Sequence, residues 1–253
     1  MKDDVLIIIP AFNPDDHLKI IVDRLIKKNF NKIIVVNDGS INEEPFKEIK
    51  NKVILLEHNE NRGKGRALKT AFKYCLENNE EIKVVITVDA DGQHDIEGVD
   101  KVYKKFKENK NKVVLGSRNF ENAPLCSKIG NNIINKKIHK IIKLKLKDTQ
   151  TGLRAVPMEC LADLINVSGE RYEYETNMLF YFAKNKIDIV EENIKTIYID
   201  KNNNSNFKKI KDSIRVYRTI KSGMWKVLLF LSKKIKKYLK FFEKTIAFYK
   251  NLY

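Results

Sequence analysis

The sequence has few cysteines and no long apolar run, and both absences narrow the possible classes of protein. Only Cys75, Cys126 and Cys160 occur in 253 residues, and no two of them have CxxC spacing. This pattern predicts neither a disulfide framework nor a zinc site, and it favours a reducing cytosol. No apolar run approaches the roughly 20 residues of a membrane span. The first run, Val5–Ile9, is too short and wrongly flanked for a signal peptide, so we expect a cytoplasmic protein that does not cross a bilayer.

Two common phosphate-binding loops are also absent from the sequence. The GxxxxGK[ST] spacing of an ATPase loop does not occur, and no GxGxxG follows the first apolar run. The main sequence evidence for an ATPase or for a dinucleotide-dependent dehydrogenase is therefore missing.

Acidic residues are nearly missing from two segments, 126–147 and 221–253. The first has seven lysines and no acid, and the second has nine lysines and one acid, Glu243. Together they account for nearly all of the formal net charge of +16. Such concentrated charge predicts a surface that meets a polyanion, either nucleic acid or an anionic membrane. The alternative is a lysine-rich composition that only solvates helices.

Short apolar runs alternate with helical patterns along the first half of the chain, and the hydrophobic content of the whole sequence, 43%, is that of a globular protein. This alternation predicts an α/β fold with a mostly parallel, doubly wound sheet, whose ligands gather at the carboxyl ends of the strands. The predicted strands are Val5–Ile9, Ile33–Val36, Val53–Leu56, Val84–Val88, Val113–Leu115 and Ile187–Ile199. The predicted helices are Asp15–Lys28, Gly65–Glu77 and Ile96–Asn109, with a helical stretch at Arg171–Leu179.

Three oxygen-bearing side chains follow the fourth strand in the stretch VVITVDADGQHD, residues 84–95. Asp89, Asp91 and Gln93 are spaced two apart, so in an extended chain they point to the same side. Carboxylate and amide oxygens suit Mg²⁺ or Mn²⁺, particularly a metal that also holds phosphates. The alternative is a polar turn after a buried strand, because Asp and Gly are turn formers.

Three further polar clusters lie near strand ends and favour a metal with a nucleotide phosphate beside it. Residues 10–13 follow the first strand, and Asp38 after the second can accept hydrogen bonds from a base or ribose, or form a turn closed by Gly39. In residues 61–66, Gly63 and Gly65 allow a backbone to approach a phosphate, and Lys64 or Arg66 supplies charge near a helix start.

Two arginines beyond the fifth predicted strand are candidates to bind an anionic group. Arg118 ends the motif GSR, and Arg154 ends the motif DTQTGLR. A guanidinium group can bind an anion through two hydrogen bonds, but each arginine could instead form a salt bridge with a nearby acid.

Seven blocks in this order resemble the family 2 glycosyltransferases of the dolichyl-phosphate mannose or glucose synthase type. The resemblance runs from Val5 to about Tyr217, and it implies a GT-A fold. The blocks are VLIIIPAFN (5–13), VVNDGS (35–40), NRGKGRAL (61–68), VDADGQHD (88–95), GSRNF (116–120), DTQTGLRAVP (148–157) and RYEYETNML (171–179).

The resemblance also implies an activity and assigns roles to site residues. It implies a metal-dependent, inverting transfer of a hexose from a UDP- or GDP-sugar to a polyprenyl phosphate, with Mg²⁺ or Mn²⁺ as cofactor. Asp89, Asp91 and Arg118 would be catalytic, and Asp89, Asp91 and Gln93 would hold the metal. The nucleotide sugar would bind Pro10, Asn13, Asp38, Gly63, Lys64 and Asp89, and the acceptor phosphate would bind Arg118, Lys128, Asp148 and Arg154.

One departure and two rival functions accompany this interpretation. Family members often have Ser-His-Phe where this chain has Ser205-Asn206-Phe207, which puts a contribution from that loop in doubt. The first rival is a GT-A enzyme with a glycan, protein or soluble acceptor, which would need a base such as Asp148, Glu173 or Glu175. The second is a non-catalytic module that binds nucleotides or polyanions.

The sequence predicts two parts, a GT-A domain at 1–221 and a basic amphipathic helical tail at 222–253. Apolar residues recur at helical spacing through the tail, with lysines on much of the remaining surface. Such a helix can lie on an anionic membrane, so we expect a peripheral protein on the cytoplasmic face and no nucleic-acid partner. The alternative is a helix packed on the sheet or on a second subunit. The stretch Ile129–Leu146 is a candidate second contact.

Overall fold

The computed structural model describes residues 2–78, 81–92, 95–118, 135–136, 138–141, 143–195 and 219. Seven strands in these residues form one sheet in the order β3-β2-β1-β4-β6-β5-β7. All neighbours pair in parallel except β6, which runs antiparallel to both β4 and β5. The strands are β1 Val5–Ala11, β2 Ile33–Asn37, β3 Ile54–Glu57, β4 Val84–Thr87, β5 Val113–Arg118, β6 Arg154–Pro157 and β7 Ile189–Ile194.

Helices cover both faces of the sheet. Because alternate residues of a strand point to opposite faces, Leu6 and Ile8 of β1 join one apolar core and Ile7 and Ile9 join the other. Helices α3 and α6 pack on the first core, and α1 and α4 on the second. The helices are α1 His17–Lys27, α2 Glu44–Lys47, α3 Lys64–Asn78, α4 Ile96–Glu108, α5 Leu161–Leu164 and α6 Glu173–Lys184, with a 3₁₀ turn at Met158–Cys160.

This architecture confirms the predicted α/β class and the mostly parallel, doubly wound sheet. The first five predicted strands and the three predicted helices all form, with ends shifted by at most three residues. The predicted strand at 187–199 forms over Ile189–Ile194, and its last four residues lie outside the described part of the chain. Strand β6 and the short helices α2 and α5 were not predicted.

The predicted basic tail at 222–253 lies outside the described residues, as does the loop at 205–207. The tail boundary and its membrane role therefore stay predictions. Within the described part of the chain, no helix combines the length and apolar character that a membrane span requires.

Candidate functional site

The candidate site lies where β4 ends, between the parallel half of the sheet and the antiparallel strand β6. Asp89 and Asp91 follow β4, and the ends of β1 and β2 lie beside it because the three strands are parallel neighbours. The side chain of Asp89 is 27% exposed, so its carboxylate is accessible from solvent. The structure thus brings both aspartates to the edge of the sheet where the sequence placed them.

The carboxylate of Asp89 packs against the backbone of Gly152. A Cβ atom at Gly152 would lie 2.2 Å from Oδ2 of Asp89 and 2.6 Å from Oδ1, so only glycine leaves room for this side chain. The buried hydroxyl of Thr87, the last residue of β4, donates a 2.7 Å hydrogen bond to the Gly152 carbonyl. Pairing of β4 with β6 therefore positions the Gly152 backbone against which Asp89 packs.

Lys64 lies between two carboxylates at the start of α3. Its Nζ is 2.6 Å from Oδ1 of Asp89 and 2.9 Å from Oε2 of Glu175, a residue of α6. Burial alone would lower the pKa of Lys64, but the two carboxylates together raise it above its ordinary value. Lys64 is therefore a firmly protonated ammonium group and the counter-ion of Asp89.

Asp38 is buried in a hydrogen-bond network rather than open to a ligand. Its carboxylate accepts hydrogen bonds from the backbone N–H groups of Arg62 and Gly63, at 3.0 and 2.7 Å, and from Nδ2 of Asn61 at 3.1 Å. Nδ1 of His58 is 2.7 Å from Oδ1 of Asp38. These four contacts match the roughly four acceptor positions of a carboxylate and give Asp38 a role in holding the 61–63 loop. Its predicted hydrogen bond to a base or ribose stays a prediction.

The glycines of the 61–66 loop allow close packing against the segment 170–174. A Cβ at Gly63 would lie 2.4 Å from Cγ of Arg171, and one at Gly65 would lie 2.6 Å from Cβ of Tyr174. The N–H of Gly63 is donated to Asp38. Gly63 therefore allows close packing against the segment that leads into α6, and its predicted contact with the donor stays a prediction.

Asn13 ties the loop after β1 to the loop after β2. Its N–H donates to Oγ of Ser40 at 2.8 Å, and its Oδ1 accepts from the N–H of Ile41 at 2.9 Å. Asn13 holds a left-handed backbone conformation with φ of 46°, which asparagine tolerates better than most residues. Pro10 lies in β1, in register with Val36 of β2. Both residues line the edge of the sheet where the nucleotide was predicted, and that contact stays a prediction.

Arg118 and Asp148 form a buried ion pair at the end of β5. Nε of Arg118 is 2.6 Å from Oδ2 of Asp148, and Nη2 is 3.1 Å from Oδ1. Asp148 is fully buried. Burial opposes the charge of Arg118, but Asp148 above all, with Asp89 and Asp91, raises its pKa. Arg118 therefore keeps its charge near the aspartates, while Asp148 orients Arg118 and cannot itself meet solvent.

Arg154 does not have the environment predicted for it. Its side chain is 1% exposed, and Nε, Nη1 and Nη2 donate to the backbone carbonyls of Thr151, Glu175 and Thr149. Burial lowers its pKa from the ordinary value. With these donors directed at the protein backbone, Arg154 fits a structural role, tying β6 to α6, and not a contact with an acceptor phosphate.

Two more acids considered as possible bases are engaged within the protein. Oε1 of Glu173 accepts from the N–H groups of Glu170 and Arg171 at 3.1 and 3.3 Å. Glu175 is paired with Lys64. Neither carboxylate is positioned as an exposed general base.

The donor set at Asp89 and Asp91 fits a divalent cation that also binds phosphates. Mg²⁺ typically takes one or two carboxylates and completes its shell with waters and substrate phosphates. The described residues hold no cluster of three or more His, Cys, Asp or Glu side chains suited to a metal. Gln93 and Lys128 lie outside the described residues, so their predicted roles stay predictions.

The described parts of the basic segment 126–147 combine buried apolar residues with exposed lysines. Ile138 and Leu146 are buried in the core that α3 and α6 share. Lys136, Lys140, Lys143, Lys145 and Lys147 are exposed. The apolar residues Ile138 and Leu146 thus serve the protein core, and the second membrane contact predicted for this segment stays a prediction.

Sequence reasoning missed three contributors to the site: His58, Thr70 and Gly152. His58 bridges Asp38 to Oγ1 of Thr70, with its Nε2 at 2.9 Å from that oxygen. A lone histidine or threonine carries no motif, and only the pairing of β2 with β3 brings His58 to Asp38. Gly152 lies within the block DTQTGLRAVP, but its contact with Asp89 depends on β6, which was not predicted.

A family model described as "Glycosyl transferase family 2" matches residues 6–157. An uncharacterised protein of Methanocaldococcus jannaschii is 33% identical over 205 residues, covering 79% of this chain and 84% of the relative. A UDP-N-acetylglucosamine–dolichyl-phosphate N-acetylglucosaminyltransferase of Methanococcus voltae is 33% identical over 220 residues, covering 78% of this chain and 86% of the relative.

Solved structures share the fold at low sequence identity. The glucosyl-3-phosphoglycerate synthase of Mycobacterium tuberculosis, in complex with Mn²⁺, UDP and phosphoglyceric acid, superposes with a TM-score of 0.65 at 14% identity. The match covers 88% of this chain and 78% of the synthase. It supports the GT-A architecture of the sheet.

Proposed function

The chain belongs to glycosyltransferase family 2, and from this membership we propose that it transfers a sugar from a nucleoside diphosphate sugar to a polyprenyl phosphate. The acceptor class is supported by the relative from Methanococcus voltae, whose name gives dolichyl phosphate as its acceptor. That relative uses UDP-N-acetylglucosamine. UDP-sugars are therefore the first donors to test, before GDP-sugars, and the mannose or glucose synthase type remains only a resemblance.

The state of the candidate bases is the observation that carries the acceptor class. An alcohol acceptor needs a group that removes its proton, whereas a phosphate is already anionic near neutral pH. Asp148 is buried against Arg118, Glu175 is paired with Lys64, and Glu173 holds two backbone N–H groups. A site in which these three candidate bases are engaged is better suited to an acceptor that needs no base.

In the proposed mechanism the acceptor phosphate displaces the nucleoside diphosphate at the anomeric carbon in one step, with inversion. Asp89 and Asp91 would hold the divalent cation, Mg²⁺ or Mn²⁺, which when bound stabilises negative charge on the departing diphosphate. Arg118, oriented by Asp148 and kept charged, lies at the end of β5 and would bind the acceptor phosphate. Gly152 and Thr87 would keep Asp89 in position to bind the cation.

We further propose that the enzyme acts at the cytoplasmic face of a membrane. Polyprenyl phosphates present their head groups at a bilayer surface, and the two basic segments would be attracted to anionic lipids. The exposed lysines between 136 and 147 lead into Asp148, so this positive surface adjoins the proposed acceptor site.

A transfer assay with purified full-length protein tests the function. UDP-N-acetylglucosamine, other UDP- and GDP-sugars, Mn²⁺ or Mg²⁺ and a short polyprenyl phosphate are combined, and the extracted lipid is analysed by mass spectrometry. We expect a metal-dependent glycosyl lipid from one donor. Hydrolysis of a sugar nucleotide without a lipid product would favour a glycan, protein or soluble acceptor, and no binding of any donor would favour a non-catalytic module.

The Asp91→Asn variant is the matched control for that assay. Replacing a carboxylate by an amide removes a metal ligand charge with almost no change of shape, so we expect turnover to fall about 100-fold or more. The thermal unfolding midpoint should stay near that of the native protein. Normal turnover with unchanged metal dependence in this variant would overturn the assignment of Asp91.

A further inference from the structure

Three chain elements meet at the ammonium of Lys64. Lys64 begins α3, Asp89 follows β4, and Glu175 lies in α6, with both carboxylates within 3 Å of Nζ. The backbone of Glu175 is fixed, because its carbonyl accepts a 2.7 Å hydrogen bond from Nη1 of the buried Arg154. The lysine side chain is the flexible member of the trio, with four carbons between backbone and charge.

A divalent cation bound to Oδ1 of Asp89 would lie within a few ångströms of the Lys64 ammonium, which is 2.6 Å from that oxygen. Like charges a few ångströms apart repel strongly at a partly buried site. A metal that binds Oδ1 of Asp89 therefore requires the ammonium to leave this oxygen. Among the described residues, Oε1 of Glu175 is a buried oxygen with no hydrogen-bond partner. This oxygen can accept a hydrogen bond from the Lys64 ammonium when the ammonium leaves Asp89.

We propose that Lys64 competes with the divalent cation for Asp89, and that Glu175 is the positioning residue that receives Lys64 when the metal binds. The inference rests on the metal site of the proposed function. Glu175 acts through Lys64 and touches no reacting atom. The affinity of the site for metal then depends on how strongly Glu175, rather than Asp89, holds the ammonium group of Lys64.

Titration with Mn²⁺, followed by the electron paramagnetic resonance signal of the free ion, tests the competition without donor or turnover. Lys64→Met removes the competitor and should tighten Mn²⁺ binding by at least about tenfold, since close charges near a protein surface interact strongly. Glu175→Gln leaves Lys64 with Asp89 as its carboxylate partner and should weaken Mn²⁺ binding by a similar factor. The double variant Lys64→Met/Glu175→Gln should bind like Lys64→Met, and it also avoids leaving Glu175 buried without a counter-ion.

Two exposed residues of the preceding loop control for simple changes of charge. Arg62→Met and Glu60→Gln remove one charge of each sign, and in the described part of the chain neither side chain takes part in the ion pairs of the site. We expect both variants to bind Mn²⁺ within about twofold of the native protein, because exposed charges are screened by salt. If these two variants changed Mn²⁺ affinity as much as Lys64→Met and Glu175→Gln do, the net charge around the site would explain the changes. That result would overturn the competition.

Weaker or unchanged Mn²⁺ binding by Lys64→Met would also overturn the proposal, because it would mean that Lys64 holds Asp89 in place for the metal. If the native protein binds no Mn²⁺, the metal site and the competition both fail. If Mn²⁺ binds with the expected pattern but no sugar is transferred, the competition stands and only the proposed function fails.

Discussion

At the scale of single residues, the absence of one side chain shapes the candidate site. Gly152 has no atom beyond Cα where Asp89 places its carboxylate, and the Thr87 hydroxyl fixes the glycine carbonyl in a buried position. The 2.2 Å separation that a Cβ would have from Oδ2 of Asp89 is far below a van der Waals contact. The rotamer of Asp89 therefore depends on a residue with no functional group.

Gly152→Ala should displace the Asp89 carboxylate and lower both Mn²⁺ affinity and turnover by about 10- to 100-fold, because a catalytic group shifted by about 1 Å loses much of its effect. Thermal unfolding should change little, since Asp89 is partly exposed and can turn towards solvent. Mn²⁺ titration and the transfer assay measure the effect.

Gly98→Ala is the matched control for that substitution. Gly98 lies in α4, and a Cβ there would meet the side chains of Ile194 at 3.2 Å and Leu153 at 3.7 Å, neither of which is a predicted metal ligand. We expect native Mn²⁺ affinity from this variant. If Gly152→Ala also binds Mn²⁺ normally, the role given to Gly152 is wrong.

At the scale of elements, a buried polar network joins β2, β3 and α3. Asp38 follows β2, His58 follows β3, and Thr70 lies in α3, and the imidazole bridges the other two side chains. Asp38 also holds two backbone N–H groups just before α3. The network thus fixes the start of the helix that carries Lys64.

Asp38→Asn should lower the free energy of unfolding by about 1 to 3 kcal/mol, because the new amide N–H₂ would face donors and leave buried groups without partners. Urea unfolding measures this loss. Asp163→Asn is the control, since Asp163 is an exposed residue whose carboxylate accepts from the Tyr181 hydroxyl. Equal stabilities for the two variants would contradict the network.

A second set of charges holds the start of β1 to α4. Asp4 accepts hydrogen bonds from the Tyr103 hydroxyl and from Nζ of Lys107, each at 2.6 Å. Burial tends to raise the pKa of Asp4, but these hydrogen bonds and the charge of Lys107 outweigh it and lower the pKa below its ordinary value. Asp4 therefore adds stability above its unfolded pKa of about 3.9, and this contribution disappears as the pH falls through the lowered folded pKa.

Asp4→Asn should therefore destabilise the protein by about 1 kcal/mol at pH 7, the usual value of a hydrogen bond to a partly buried group. The difference from the native protein should begin to shrink below about pH 4, where Asp4 of the unfolded chain takes up a proton, and it should disappear as the pH falls through the lower pKa of the folded protein. Urea unfolding at pH 7 and pH 3 tests this. A difference that stays constant between the two pH values would show that the charge of Asp4 is not involved.

The sequence predicted the parallel half of the sheet because its strands are apolar runs buried on both faces and separated by amphipathic helices. Strand β6 escaped prediction because RAVP, residues 154–157, is four residues long and begins with an arginine, whose burial depends on carbonyls from α6 and the preceding loop. Because the burial of Arg154 could not be foreseen, this residue was predicted to bind the acceptor phosphate. Asp89 and Asp91 could be placed by spacing alone, whereas the pairing of Lys64 with Glu175 needs the contact between α3 and α6.

At the scale of the whole molecule, the net charge of +16 is divided unevenly. The described part of the chain places five exposed lysines between residues 136 and 147, around the half-exposed Leu144. Their apolar neighbours Ile138 and Leu146 pack into the core, so this surface would meet a membrane mainly through charge. Its attraction should therefore depend strongly on salt.

Flotation with liposomes tests this membrane contact for the full chain. We expect binding to vesicles with anionic lipid at low salt, little binding to neutral vesicles, and release as salt is raised. Lys143→Gln/Lys145→Gln should weaken binding, because each lysine near an anionic surface contributes about 1 kcal/mol. The control Lys73→Gln/Lys104→Gln removes the same charge from exposed positions outside both basic segments. Equal binding by the two double variants would remove residues 143–145 from the contact, and failure of the native protein to bind at low salt would exclude the peripheral membrane role.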